Sequence, residues 1–118
     1  MKKNFFVKNF PACTVGLLAL CQSLHSVDYE SQIRPILKES CIDCHGPDKP
    51  KARLRVDQRP LLLRGGDSGL PAIIPGNPEK SHLIELIKSK DSDERMPRKA
   101  YPLSDKDIAL LEKWIAEG

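Results

Sequence analysis

The run Cys41-Ile42-Asp43-Cys44-His45 constrains this 118-residue chain more than any other feature, because it packs two thiols and an imidazole into five residues. On a helical turn, positions three apart share a face, so both sulfurs point the same way with the histidine beside them. The other two of the four cysteines, Cys13 and Cys21, lie near the N-terminus. There Lys2, Lys3 and Lys8 precede an apolar stretch from Ala12 to Leu20, too short for a bilayer span of ~20 residues. That is the pattern of an export signal over residues 1–26, with one domain over 27–118. The cut site is indistinct: cleavage after Ser26 puts Leu24 three positions back, and cleavage after Cys21 puts Ala19 there. A lipid on Cys21, which would tie the protein to a membrane, is disfavoured by bulky Leu20 where a small residue is expected. Once the signal is removed, Cys41 and Cys44 are the remaining pair, in a periplasmic or other extracytoplasmic compartment.

The net charge of +3 is carried by those three lysines, and from residue 27 onward cations and anions are equal in number. A nucleic-acid binder would keep a basic excess in its folded part, so that class is excluded. One small domain also leaves no room for a two-domain enzyme with a deep cleft.

In an exported chain, C-x-x-C-H is the attachment signature of c-type haem. Two thiols on one turn can add to the two vinyl groups on one porphyrin edge, while His45 binds the iron from the proximal side. The other ring N–H of His45 then needs an acceptor, such as a backbone carbonyl, to fix its tautomer. Three other readings compete. A plain Cys41–Cys44 disulfide would leave the adjacent histidine to chance. A thioredoxin-like pair wants a βαβ setting, whereas these flanks read as helix and loop. A zinc site needs four ligands, and the processed chain offers Cys41, Cys44, His45 and distant His82. For the far side of the iron, Met96 is the one methionine left after processing, and it sits in the polar stretch Asp93-Glu94-Arg95-Met96-Pro97 rather than on an apolar helix face. His45/Met96 ligation would raise the reduction potential relative to two histidines. His82 is the competitor, although Glu79 and Ser81 beside it suggest an ordinary exposed helix position.

The periodicity predicts an all-α domain of three principal helices, a shorter one, and long loops around one covalent haem. Tyr29, Ile33, Ile36 and Leu37 mark one face of a helix leading into Cys41, with Pro35 either kinking it or starting a new segment. Asp57 is placed to cap a brief helix through Leu61 and Leu62 that stops at Gly65-Gly66. Asn77-Pro78 reads as N-cap and first position of a helix with Leu83, Leu86 and Ile87 on its apolar face. Ser104 opens the last helix in a capping-box variant with Asp107, and Leu103 and Ile108 are spaced as a hydrophobic staple. Ile108, Leu111, Trp114 and Ile115 form its buried stripe. Such a core is thin, and a haem held between the first and last helices would supply the missing apolar surface.

Taken together, these segments resemble a class I monohaem cytochrome c and, more narrowly, the planctomycete-type cytochrome c domain. The resemblance runs through Ile33-Arg34-Pro35-Ile36-Leu37, Cys41 to Asp48, Leu54-Arg55-Val56-Asp57 and Gly65-Gly66-Asp67-Ser68-Gly69. It continues through Ile74-Pro75-Gly76-Asn77-Pro78, Asp93 to Pro97 and Trp114-Ile115. It implies covalent haem at Cys41 and Cys44, iron bound by His45, and Met96 as sixth ligand. Arg55, in one of these segments, is a candidate contact to a haem propionate, against the plainer reading of a solvated basic stretch from Lys49 to Arg59. Members of this family are usually the leading domain of longer chains. The resemblance therefore implies either a free-standing one-electron carrier passing electrons to a redox partner protein, or a haem module serving a large fused or co-encoded catalytic partner. Ligand sensing or peroxidase-like chemistry would require Met96 to be off the iron.

Overall fold

The computed structural model describes residues 25–118, so the export signal read over residues 1–26 lies almost wholly outside the described residues. Helix accounts for 51% of the described residues and none is in a strand, in keeping with an all-α chain. None of the described helices is long and apolar enough to cross a membrane.

Asp28 starts the first element: its Oδ1 accepts from the Ser31 backbone N–H at 2.7 Å and caps a π-helical turn, Tyr29–Ile33. That turn runs into α1, Arg34–Ser40, with Pro35 in its first turn, where a missing N–H costs nothing. Pro35 therefore starts a segment instead of bending one. A break at Cys41 (φ −129°) separates α1 from the single turn α2, Ile42–His45. A 3₁₀ turn, Lys51–Arg53, and α3, Arg59–Arg64, follow. Next come a second 3₁₀ turn, Pro78–Lys80, then α4, His82–Lys88, and the longest helix, α5, Asp105–Glu117.

Two expected caps are placed differently. Asp57 does not cap α3, whose N-cap is Gln58 with no side-chain bond. It pairs with Arg55 instead, at 2.6 and 2.9 Å. Asn77 caps the 3₁₀ turn, accepting from the Lys80 N–H at 3.2 Å, and α4 starts afresh at His82. Between them Ser81 is fully buried; its hydroxyl accepts from the Ile74 N–H and donates to the Asn77 carbonyl, both at 2.8 Å. At α5 the expected cap is found, with Ser104 Oγ accepting from the Asp107 N–H at 3.1 Å.

Ile33, Leu37, Val56, Leu62 and Leu111 form the fully shielded centre of the core. α5 contributes Leu111 and Ile115, with Trp114 half-buried against the Tyr29 ring at 5.4 Å between centroids. It packs on the Tyr29–Ile33 turn and on α4. α4 is apolar on two sides: Ile84 and Ile87 are buried in the core, while Leu83 and Leu86 are only partly covered.

α3 stops at Gly65, whose φ of +77° is open to glycine at little cost. The space around it is as restrictive as the dihedral, because a Cβ there would overlap the Leu70 carbonyl oxygen. Gly65→Ala is expected to lower stability by about 1–3 kcal/mol from the backbone alone, with the collision adding to that. Thermal or denaturant melts of the cofactor-loaded protein would measure it, and an unchanged midpoint would contradict this account.

Candidate functional site

Helix packing on one side and the Gly65-Gly66 loop on the other leave a largely apolar cavity of about 610 Å³, within the range of small-molecule sites. Cys41, Cys44, His45 and Met96 all line it, together with Leu54, Val56, Leu70, Leu83, Leu86 and Ile87. Four residues singled out in the sequence for one cofactor thus come together at one place.

The thiols owe their placement to the break between α1 and α2. The Cys41 N–H donates to the Leu37 carbonyl at 3.0 Å, closing α1, and the His45 N–H donates to the Cys41 carbonyl at 2.9 Å, closing α2. Cys41 is therefore tucked into the joint, whereas Cys44, on the next turn, is exposed. Burial, with a smaller contribution from nearby Cys44, pushes the Cys41 thiol up to about 11, so it keeps its proton at neutral pH.

His45 is held by its neighbour in the loop. Its Nδ1 lies 3.1 Å from the Lys51 carbonyl oxygen. A carbonyl can only accept, so Nδ1 carries the hydrogen and donates, and Nε2 keeps the lone pair that a metal needs. Main-chain bonds fix that carbonyl in turn. Leu54 N–H donates to it at 3.1 Å, Val56 N–H donates to the His45 carbonyl at 2.9 Å, and Asp67 N–H donates to the Ala52 carbonyl at 2.8 Å. Holding this loop in shape takes strained backbone. Lys49, Ala52 and Arg53 have φ of 52°, 52° and 49°, and Lys99 across the cavity has 54°. Positive φ at non-glycine residues concentrates where a site over-determines it.

Met96 enters from the loop after α4. Its N–H donates to the Leu86 carbonyl at 3.1 Å, which lays the thioether against α4 and the core. Asp91, Asp93 and Glu94 before it are exposed, as expected of a solvated loop.

The structure places three of the expected features as follows. His82 is not at an ordinary exposed position: it lines the cavity, with Nδ1 2.8 Å from Glu85 Oε2. Arg55 does not line the cavity and pairs with Asp57, whose carboxyl the guanidinium holds below the usual carboxylate range. At 29% and 17% exposure, neither partner is a free surface charge. Finally, no α5 residue lines the cavity, which lies between the α2 loop region and α4; α5 supports α4 from behind.

The cations that do line the cavity are Lys51, Arg98 and Lys99. The sequence reading missed them, although Arg98 and Lys99 directly follow the Met96-Pro97 pair and could have been found by that adjacency. The donor set fits a covalently attached haem: two free thiols on one turn, a histidine with its second nitrogen available, and a thioether, around one apolar space. Among the described residues, no three His, Cys, Asp or Glu side chains are grouped so that they could hold a bare metal ion.

Compared with known proteins, residues 41–99, half of the chain, match the family model described as planctomycete cytochrome C. No curated protein and no solved structure matches.

Proposed function

Because this chain belongs to the planctomycete cytochrome C family, we propose that it is a one-haem electron carrier working outside the cytoplasm. The observation that carries the proposal is the meeting of Cys41, Cys44, His45 and Met96 in one cavity. Haem, when bound, supplies a one-electron Fe(II)/Fe(III) couple.

The chain's own groups have distinct tasks. Cys41 and Cys44 would hold the porphyrin through thioethers, a linkage that adds S–H across a carbon–carbon double bond and needs no oxidant. His45 would bind the iron through Nε2, the nitrogen left with its lone pair by the hydrogen bond from Nδ1–H to the Lys51 carbonyl, which also raises its basicity. Met96 would supply the second protein ligand, a soft sulfur that favours the ferrous form and raises the potential. Lys51, Arg98 and Lys99, which line the cavity, are the cations available to the propionate carboxylates, while Arg55 pairs with Asp57. Leu83, Leu86 and Ile87 exclude water and keep the local dielectric low. No substrate is transformed. The balance of charge beyond residue 26 gives no steering field that would pick out a partner by sign, so the redox partner is expected to be selected by contact shape.

The test is the visible absorption of the protein made in a host that matures c-type cytochromes, recorded oxidised and reduced. A low-spin pigment that cycles reversibly between the two states is expected. A colourless yet well-ordered product would overturn the reading.

A further inference from the structure

We propose that export processing cuts between Ser26 and Val27, and that the Glu117 carboxylate receives the α-ammonium released there. The proposal rests on the export part of the functional reading and adds the residue that recognises the new chain end.

The folded body begins at Val27. Val27 is buried in the core, whereas His25 and Ser26 just before it are exposed. The Val27 backbone N–H donates to Glu117 Oε2 at 2.7 Å, joining residues 90 positions apart. Glu117 ends α5, where the helix dipole is negative and a carboxylate is disfavoured. No basic residue lies in that last turn. The cation on the preceding turn, Lys113, is 3.7 Å from Glu117 Oε1 and donates to the His25 carbonyl at 3.0 Å. An anion set at the wrong helix end, aimed at the nitrogen where the core starts, is accounted for if that nitrogen becomes positively charged.

Cleavage supplies that charge. Water adds its oxygen to the Ser26 carbonyl carbon, the C–N bond breaks, and the freed Val27 nitrogen takes up protons to become an ammonium. The same cut removes His25 from Lys113 and leaves that ammonium free to approach Glu117. A cut at any other bond would leave a neutral amide facing the carboxylate.

The experiment uses the exported, haem-loaded protein. Intact-mass and N-terminal analysis are expected to place the first residue at Val27. Acylation of the α-amine near neutral pH is then compared between the native protein and two variants. Pairing holds the amine in its protonated, unreactive form, so Glu117→Gln is expected to label several-fold faster, and Lys113→Gln no faster than native. A mature start at another residue, or equal labelling of native and Glu117→Gln, overturns the proposal and leaves the haem assignment standing. Recovery of an unexported chain still carrying Met1 would overturn the export reading as well. The mass measurement is made on the native sequence and does not depend on either variant folding.

Discussion

When Cys41 and Cys44 are both replaced by alanine, haem is expected to pass completely into acidified organic solvent, and the chain left behind to lose its cooperative melt. The first half follows from bond type: thioethers survive acid and solvent, whereas His45 and Met96 are released once protons and solvent compete for the iron. The second half follows from packing. The buried centre is a handful of aliphatics, among them Ile33, Leu62 and Leu111, and beside it lies a cavity of about 610 Å³ with apolar walls. Leu83 and Leu86 on α4 and Leu54 in the loop line that cavity only partly covered, and Leu70 lines it exposed, so the burial of these four depends on what fills it. A domain of this size has about 5–15 kcal/mol of net stability at best, and losing apolar burial on that many side chains consumes it. Circular dichroism of cofactor-free chain checks the second claim; a sharp melt close to that of the loaded protein would refute it. Haem retained in the double variant after extraction would place the linkage on other atoms.

Replacing Met96 by alanine should have the next largest effect, on the iron rather than on the fold. The thioether's preference for the ferrous state is lost, and each tenfold change in relative stabilisation of the two states is worth about 59 mV in a one-electron couple. A fall in potential of at least one such step is expected. Met96 is only half-buried in its loop, and the Leu86 carbonyl bond uses its main chain, so the backbone path should survive the substitution. Carbon monoxide should then bind the reduced variant at once, whereas the native protein should resist it. An unchanged spectrum and potential would remove Met96 from the iron.

What could be read from the residues, and what could not, divides along physical lines. Cys41, Cys44 and His45 were legible because their chemistry depends on spacing within one turn. The Ser104 cap was legible, and Pro35 in the first turn of α1 was one of the two placements its fixed dihedral allows, because these are local hydrogen-bond and dihedral events. The place of His82 on the cavity wall was not legible, because Glu79 and Ser81 beside it read as polar neighbours while Ser81 is in fact fully buried, bonded to the Ile74 and Asn77 backbone. The Arg55–Asp57 pair was not legible either: a guanidinium can satisfy itself on a cofactor carboxylate or on the carboxylate two residues away, and spacing alone does not choose. The place of α5 behind α4, away from the cavity, was equally out of reach. Its stripe of Leu111 and Ile115 reveals that a face is buried, not what covers it.

The acceptor that orients His45 is a peptide oxygen, supplied by the shape of the loop at residue 51 and not by the identity of its side chain. Substitution at that position can change the charge at the cavity mouth while leaving the imidazole's partner in place. The charge that residue 51 brings to the cavity and the partner that orients His45 thus rest on different atoms of one residue, so a change of side chain alters the first and leaves the second.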